Sequence, residues 1–270
     1  MTNVGLRNPE SVPVVILCGG RGMRLNEQTE SIPKPLVQIG GMPILWHIMK
    51  LYAHFGFKDF ILCLGYKGEK IREFFMEHRS WRRGDFTLHS GPGGREIDYH
   101  FGELEDWTIT FADTGLATNT GGRLKATQRY ITGPTFFATY GDGLSDLDLR
   151  MLLAEHQRGG RLATMTCVTP RTHFGIVDVD EEGRIRSYQE KPLLNTFVNG
   201  GFFVCNREIF PYLGENEMFE QGPFDRLLRD GQFYGHRHQG FWMCMDTYKD
   251  NQVLNDLWER GDAPWKIWNS

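Results

Sequence analysis

Residues 14–25 read Val-Val-Ile-Leu-Cys-Gly-Gly-Arg-Gly-Met-Arg-Leu. The first five form a continuous apolar run, which is typical of a strand buried on both faces of a parallel sheet. The glycines that follow let the backbone approach a ligand closely and point amide groups at anionic oxygens. Arg24 adds a planar cation that suits phosphate. This segment therefore predicts an α/β fold with an anion site at the carboxyl end of its first strand.

Two familiar phosphate-binding motifs do not fit this loop. A Walker loop would close on Gly-Lys followed by Ser or Thr, and the segment has no such ending. A dinucleotide fingerprint would need a third glycine where Leu25 stands. A tight glycine turn without a ligand is the alternative for the segment taken alone.

Apolar patterns further along the chain alternate between strands and helices. The spacing predicts strands at 60–64, 108–111 and 136–140, a hairpin of 176–179 with 185–188, and helices at 43–55, 67–78, 146–156, 223–229 and 248–260. A polar, glycine-rich stretch, 84–94, separates the second helix from the strand at 108–111. This order predicts a mostly parallel sheet with helices on both faces, where ligands bind beyond the carboxyl ends of strands.

Composition narrows the class of protein. The 270 residues carry a formal net charge of −4, which argues against a nucleic-acid binder. The five cysteines are odd in number and lack metal-type spacing, so we expect free thiols in a reducing compartment and no zinc site. The sequence has no apolar stretch of the ~20 residues that cross a membrane. We therefore expect a cytoplasmic protein that has no membrane partner.

A rigid lysine follows the glycine loop. Lys34 lies between Pro33 and Pro35, and the two prolines restrict the backbone on both sides of it. An exposed loop lysine is the alternative if the tripeptide is taken alone. Combined with the loop amides and Arg24, however, a fixed ammonium indicates a polyphosphate site.

Two aspartates are candidate metal ligands. Asp142 lies between glycines where the strand at 136–140 ends, and Mg²⁺ typically takes one or two protein carboxylates together with phosphate oxygens and water. A turn residue is the alternative for Asp142. Asp246 follows the run Trp242–Met245, and its alternative is a cap for the helix that starts near Tyr248.

Two later segments offer groups that could bind a sugar phosphate. The first is Gln189-Glu190-Lys191-Pro192 and the second is Val198-Asn199-Gly200-Gly201. Their side chains provide a carboxylate, an ammonium and an amide. A surface charge pair and a bulged strand are the alternatives for these segments.

Together, the glycine loop, Pro-Lys-Pro, Gly-Asp-Gly, Glu-Lys-Pro and Asn-Gly-Gly, in this order, resemble the motifs of the sugar-nucleotide pyrophosphorylases. The resemblance spans 12–268. Within that family it is greatest to the glucose-1-phosphate cytidylyltransferases, in the segments 41–50, 113–115, 120–125, 241–247 and 263–266.

The resemblance implies a Rossmann-like nucleotidyltransferase core in one domain, 12–268. Its nucleotide-binding half would be 12–160, a small β-rich sugar-phosphate half 161–247, and a C-terminal helix and tail 248–268. The implied substrates are CTP and a sugar 1-phosphate, the implied cofactor is Mg²⁺, and a homo-oligomer is expected.

The resemblance also implies residue roles. Arg24 and Lys34 would be catalytic, and Asp142 and Asp246 would hold Mg²⁺. The nucleotide would contact Leu17, Gly19, Gly20, Arg21, Gly22, Met23, Arg24, Thr114, Gly115, Gly122 and Asp142. The sugar phosphate would contact Lys34, Tyr140, Gly175, Glu190, Lys191 and Asn199.

Two positions depart from the family pattern. Met23 stands where the family usually has threonine before the loop arginine, so a hydrogen bond to phosphate would be lost; Arg21 could compensate as an additional cation. His173 stands where an arginine is common. These changes bear on specificity and rate rather than on the class of reaction.

Three alternatives stay open at this point. The same chemistry could use UTP, dTTP or GTP, or another sugar 1-phosphate, and a catalytically silent regulatory subunit could share the fold. A glycosyltransferase would require an Asp-x-Asp metal motif, and the one candidate, Asp146-Leu147-Asp148, looks more like a helix start. Trp265 and Trp268 could form either an interface or a capping patch.

Overall fold

A computed structural model describes residues 12–20, 31–77, 86–91, 94–99, 105–172 and 174–268. The described part of the chain has no helix that is long and apolar enough to cross a membrane.

The described residues form sixteen strands. These are β1 (Val14–Leu17), β2 (Gln38–Ile39), β3 (Met42–Pro43), β4 (Asp59–Leu64), β5 (Phe86–Gly91), β6 (Gly94–Tyr99), β7 (Thr108–Asp113), β8 (Thr135–Tyr140), β9 (Gly143–Ser145), β10 (Ala163–Val168), β11 (Ile176–Val179), β12 (Ile185–Gln189), β13 (Val198–Asn199), β14 (Phe203–Asn206), β15 (Phe233–His238) and β16 (Trp242–Cys244).

Six α-helices accompany the strands in these residues. They are α1 (Ile44–His54), α2 (Gly68–Glu77), α3 (Thr120–Ala126), α4 (Leu149–Gly159), α5 (Gly222–Arg229) and α6 (Tyr248–Glu259). Short 3₁₀ turns occur at Lys34–Leu36, Gln128–Tyr130 and Arg207–Tyr212.

One mixed sheet organises the molecule. Its strand order is β13-β10-β14-β8-β1-β4-β7, with β15 paired to β10. The four strands β8, β1, β4 and β7 are mutually parallel, so their carboxyl ends meet at one edge. Strand β14 runs antiparallel to β8 and joins the later strands to this group. The predicted α/β class is confirmed.

Apolar layers cover both faces of the sheet. Along β1, Val14 and Ile16 face one core layer and Val15 faces the other, as the alternation of side chains along a strand requires. Helices α1 and α6 pack in the first layer, while α3 and α5 pack in the second. Both faces of β1 and β4 are therefore shielded from water, which explains their continuous apolar runs.

Three local predictions need correction. The glycine-rich stretch 84–94 contributes to a hairpin of β5 and β6, which its polar composition did not indicate. Helix α4 begins at Leu149 rather than 146, because the Asp148 carboxylate accepts the amides of Arg150 and Met151 as an N-cap. Helix α3 was not predicted, since Gly121 and Gly122 hide its pattern.

The C-terminal tryptophans form a capping patch within the chain. Trp265 is fully buried, and Trp258, Trp265 and Trp268 surround His47 of helix α1 with ring centroids 4.8–6.2 Å away. His47 Nε2 lies 2.8 Å from the carbonyl of Ile39. Burial lowers the pKa of His47 to about 4, so the ring is neutral inside this patch.

Candidate active site

The ends of β1 and β7 bring predicted nucleotide residues to one edge of the sheet. Leu17 ends β1 and leads to Gly19 and Gly20, while β7 leads to Thr114 and Gly115. Gly20 is exposed, and no atom of the described residues lies within 4 Å of the position that a Cβ would take. Arg21, Gly22, Met23 and Arg24 lie outside the described residues, as does His173.

Lys34 bridges the two predicted metal ligands. Its Nζ donates to Asp142 Oδ2 at 2.6 Å and to Asp246 Oδ1 at 2.7 Å. Burial by itself would lower the pKa of Lys34, but the two carboxylates, Asp142 above all, raise it above its usual value. The structure therefore places three predicted residues from distant parts of the chain in one charged group.

The local sequence explains why these side chains converge. Pro33 is extended and Pro35 is buried, so Lys34 begins its 3₁₀ turn with the backbone fixed on both sides. Strand β16 pairs with β9 directly after Asp142, and the amide of Met245 donates to the carbonyl of Asp142 at 2.9 Å. This pairing brings Asp246 to the end of β8.

Asp246 does not cap helix α6. Thr247 is the N-cap, and it forms a reciprocal capping box with Asp250. The capping alternative for Asp246 was therefore wrong, and its carboxylate is available to the charged group.

The donor set suits a divalent cation. The carboxylates of Asp142 and Asp246 and the thiol of Cys244 each offer an atom, and these atoms lie within 4.8 Å of one another. Two carboxylate oxygens that already share one cation, the Lys34 ammonium, match the hard oxygen ligands that Mg²⁺ takes. Burial, with a contribution from Asp142, raises the pKa of the Cys244 thiol, which is therefore uncharged at neutral pH without a metal.

Arg123 supports the nucleotide side of the site, a role that the sequence did not indicate. Its side chain is 4% exposed and its guanidinium donates to the carbonyls of Leu64 at 3.0 Å, Gly115 at 2.8 Å and Gly19 at 3.1 Å. It also donates to the Thr114 hydroxyl at 2.8 Å. One buried cation therefore ties together the loops that follow β1, β4 and β7.

The same contact explains a glycine. A Cβ at Gly19 would lie 2.1 Å from Arg123 Nη1, which is far inside van der Waals contact. The absence of a side chain at Gly19 thus leaves room for the Arg123 guanidinium, which in turn fixes the loop that contains Gly19. Arg123 lies in the segment 120–125, which contributes to the family resemblance. The resemblance alone, however, assigns no role to this arginine.

A second network joins the two ends of the site. Tyr140 donates its hydroxyl to Glu220 Oε1 at 2.5 Å and accepts from Asn199 Nδ2 at 3.0 Å. Glu220 Oε2 accepts from Thr120 Oγ1 at 2.7 Å, at the start of helix α3. Glu220 therefore connects the helix beside the nucleotide loops to the predicted sugar residues Tyr140 and Asn199. Nothing in the sequence singled out Glu220.

Asn199 is held by its own backbone turn. Its Oδ1 accepts from the amide of Gly201 at 2.9 Å, and Phe202 then adopts φ 45°, a left-handed conformation that a bulky buried residue rarely takes. Trp242 Nε1 donates to the carbonyl of Gly200 at 2.7 Å. These contacts fix the amide group of Asn199 towards Tyr140.

Two predicted glycines pack against protein. A Cβ at Gly122 would lie 2.4 Å from the carbonyl oxygen of Glu215, so this glycine allows helix α3 to approach the segment at 215–217. A Cβ at Gly175 would lie 2.5 Å from the Tyr188 ring. In both cases close packing explains why the residue is glycine. The ligand contact that the resemblance implies for each residue stays a prediction.

Glu190 and Lys191 lie at the base of the hairpin β11–β12, which pairs only with itself within the described residues. They form an ion pair of 3.1 Å, and Tyr188 also donates to Glu190. Tyr188 first, then Lys191 and Lys249 of helix α6, hold the pKa of the Glu190 carboxyl below its usual range.

The described residues include one Ser-His-Asp contact, and its geometry excludes a catalytic triad. Ser145 Oγ and Asp146 Oδ1 both approach Nε2 of His238, at 3.2 and 2.9 Å, whereas a triad uses the two ring nitrogens separately. Ser145 is also fully buried and donates to the carbonyl of Phe241. These contacts give Ser145 and His238 a structural role between β9 and the segment at Phe241.

Comparison with known proteins gives a consistent result. The family model described as Nucleotidyl transferase matches residues 13–243. The chain is 45% identical over 256 residues to a probable glucose-1-phosphate cytidylyltransferase of Bacillus subtilis, covering 94% of this chain and 99% of that protein. It is 44% identical to the glucose-1-phosphate cytidylyltransferase of Salmonella typhi, over 94% and 98% of the two chains.

A solved structure shares the fold. The crystal structure of HddC from Yersinia pseudotuberculosis aligns with a TM-score of 0.68 and 22% identity, over 92% of this chain and 99% of that one.

Proposed function

This chain belongs to the nucleotidyl transferase family, and from that premise we propose that it is a glucose-1-phosphate cytidylyltransferase. The enzyme transfers a cytidylyl group from CTP to α-D-glucose 1-phosphate and forms CDP-glucose and pyrophosphate. The observation that carries this assignment is 44–45% identity over 94% of the chain to two relatives named for this reaction.

The reaction itself requires no general base. The second pKa of a phosphate monoester is about 6, so the sugar phosphate is already ionised at neutral pH. Its oxygen attacks the α-phosphorus of CTP, and the bond from that phosphorus to the bridging oxygen of the β-phosphate breaks. The leaving pyrophosphate keeps the electron pair. The obstacle is repulsion between two anions, and positioning with positive charge overcomes it.

Lys34 is the described residue best placed to supply that charge. Its ammonium is 12% exposed and fixed by two carboxylates at the edge where the strands end. We propose that it contacts phosphate at the reacting centre when substrates bind. Arg24 would steady the departing pyrophosphate, as the resemblance implies.

A divalent metal ion is the expected cofactor, and we propose Mg²⁺ held by Asp142 and Asp246. When bound, the ion neutralises charge on the phosphate oxygens of CTP. The carboxylates that would hold it are those that Lys34 bridges, so Lys34 and the ion act within one small volume.

The remaining predicted residues divide between the two substrates. We propose that the backbone at Gly19 and Gly20, with Leu17, Thr114, Gly115 and Gly122, surrounds the nucleotide. Tyr140 and Asn199 would contact the sugar phosphate together with Gly175, Glu190 and Lys191 from the hairpin base. The Tyr140–Glu220 network supports this division, because it links helix α3 to Asn199.

We propose that the chain assembles with further copies of itself. The hairpin β11–β12 supports this, because it exposes Val179 by 52%, Ile185 by 69% and Tyr188 by 60% of their surfaces. Light scattering of the purified chain tests the proposal, and a monomeric mass at working concentration would contradict it.

A nucleotide panel tests the function. The purified chain is incubated with glucose 1-phosphate, Mg²⁺ and CTP, UTP, dTTP or GTP in turn, and pyrophosphate release is measured. We expect CTP to give the highest kcat/KM. A higher kcat/KM with another nucleotide would identify the chain as the transferase for that nucleotide. If no nucleotide releases pyrophosphate, a catalytically silent regulatory subunit would be favoured.

A further inference from the structure

Cys244 gives the metal-binding group a third ligand of a different chemical kind. Its thiol lies within 4.8 Å of carboxylate oxygens of both Asp142 and Asp246. The cysteine spacing in the sequence indicated no zinc site, because a site built from one cysteine and two distant aspartates leaves no spacing signal. The three ligands come together only in the fold.

Backbone geometry directs the thiol into the group. Cys244 ends strand β16 and pairs with Gly143, while Asp246 follows two residues later. Alternate residues of an extended chain point to the same side, so Cys244 and Asp246 share one side and the fully buried Met245 points to the other. Asp142 immediately precedes Gly143, opposite Cys244.

A cation already occupies the carboxylate part of this group. The Lys34 ammonium lies 2.6 Å from Asp142 and 2.7 Å from Asp246, so both oxygens are oriented towards one positive centre. Two converging carboxylates and a thiol therefore surround a volume that accepts positive charge.

The chemistry of the three donors favours a softer ion than Mg²⁺. Thiolates select Zn²⁺ and related thiophilic ions, whereas Mg²⁺ prefers oxygen and retains its waters. Zinc accepts mixed sulfur and carboxylate ligands at about 2.3 and 2.1 Å. Tetrahedral ligands at such distances lie about 3.5 Å apart, so the side chains need to close by about 1 Å.

We infer that Asp142, Cys244 and Asp246 form a binding site for a thiophilic divalent cation such as Zn²⁺ or Cd²⁺. On binding, the thiol proton passes to solvent and the sulfur coordinates the ion, and Lys34 gives up its two carboxylate contacts. A bound thiophilic ion would then keep Mg²⁺ from the same carboxylates. If the proposed function holds, zinc therefore inhibits the enzyme in competition with Mg²⁺.

Cadmium titration of the whole chain tests the site without an activity assay. A cadmium–thiolate bond has its own ultraviolet charge-transfer band, and we expect this band to saturate at one ion per chain. C244S should remove the band and weaken Cd²⁺ binding by about 10- to 100-fold. Circular dichroism and thermal melting check that this variant folds.

Cys167 is the matched control. It is the other half-buried free cysteine among the described residues, and it lies on strand β10 away from the two aspartates. C167S should retain the band and the affinity. Loss of the band in C167S but not in C244S would overturn the inference.

Lys34→Ala gives a test in the opposite direction. Removing the competing ammonium should lower the dissociation constant for Cd²⁺ severalfold, whereas a lysine without contact to the site would change nothing. Absence of a thiolate band in the unaltered chain, or its persistence in C244S, would refute the site even if CDP-glucose is formed. A different result would separate the two proposals. If no nucleotide releases pyrophosphate, but the band is present and C244S removes it, the metal site stands and the proposed function is rejected.

Discussion

The edge of the sheet and the hairpin β11–β12 both carry residues of the predicted site, yet they hold them very differently. At the sheet edge, Lys34 is 12% exposed and bonded to two carboxylates, and Asp142 is 24% exposed. At the hairpin base, Glu190 is 57% and Lys191 47% exposed, and Glu190 contacts both Lys191 and Tyr188. The charged groups at the sheet edge are thus largely shielded from water, whereas those at the hairpin base are solvated.

This difference suggests separate roles for the two regions in catalysis and in sugar recognition. Charges that act on the reacting phosphates need a fixed geometry, because preorganised dipoles and ions avoid reorganisation during the reaction. Residues that only recognise the sugar can be solvated and ordered by the substrate. We therefore expect substitutions at the sheet edge to lower kcat and substitutions at the hairpin base to raise KM.

Lys34→Ala should give the largest effect. Loss of one preorganised charge at the reacting centre typically lowers kcat by about 100- to 1,000-fold. Steady-state kinetics with CTP and glucose 1-phosphate measure it, and Lys58→Ala is the control, because Lys58 also pairs with an aspartate but lies on the surface. A kcat within a few-fold of that of the unaltered enzyme would show that Lys34 does not act at the reacting centre. The proposed difference between the sheet edge and the hairpin base would then be wrong.

Asp142→Asn should shift the metal dependence. The amide keeps the shape and loses the charge, so we expect the Mg²⁺ concentration for half-maximal activity to rise by about 10- to 100-fold. Asp106→Asn, at an exposed ion pair, should leave the Mg²⁺ titration unchanged. An unchanged titration for Asp142→Asn would mean that Asp142 is not a metal ligand and serves only as a turn residue.

Acid should affect the buried core and spare the hairpin. The pKa of His47 is about 4 in the fold and 6.5 without it, so the unfolded chain binds more protons between these values. The contribution of His47 to stability is therefore nearly constant above about pH 7.5 and falls as the pH drops towards 4, with a loss of about 2.5 kcal/mol at pH 4.5. His156, whose pKa is also lowered by burial, acts in the same direction.

Hydrogen exchange at pH 7 and pH 5 measures this difference region by region. The opening free energy of amides in helix α1 should decrease, and that of amides in β11 and β12 should not. His47→Gln should flatten the dependence of the melting temperature on pH. Equal losses in both regions would show that the hairpin and the core open as one unit.

Glu220→Gln should have an intermediate effect. An amide offers one acceptor oxygen, so either the Tyr140 or the Thr120 hydrogen bond is lost, at a cost of about 1–1.5 kcal/mol, or roughly tenfold in kcat/KM. Glu215→Gln is the control, since Glu215 is exposed and pairs only with Lys125 among its described ion pairs. Full activity in Glu220→Gln would mean that Asn199 is positioned without this network.

Much of the fold could be predicted from the sequence because its signals are local. The buried strands at 14–17, 59–64 and 135–140 appear as apolar runs, and α1 appears as a helical stripe that ends near Gly56. Helix α3 could not be found, because Gly121 and Gly122 serve close packing rather than helix formation. The hairpin at 86–99 was missed because its strands are polar.

The site was predictable to the extent that its residues lie in motifs at strand ends. Lys34, Asp142 and Asp246 were recognised in this way, and the structure brings them together. Arg123, Glu220 and Cys244 were not assigned, because their roles depend on contacts between segments about 60 to 100 residues apart. Such contacts leave no periodic or spacing signal in a single chain.

Lys191→Ala should have the smallest effect and is the most direct test of the contrast. Lys191 is 47% exposed, so solvent and salt screen its charge, and an exposed ionic contact typically contributes about 1 kcal/mol or less. We expect the KM for glucose 1-phosphate to rise about fivefold, kcat to stay nearly constant, and the increase to shrink at high salt. Lys70→Ala, also 47% exposed and paired with Glu73, should leave both constants unchanged. A fall in kcat as large as that of Lys34→Ala would mean that substrate draws Lys191 into the reacting centre, so that exposure in the free enzyme does not separate recognition from catalysis.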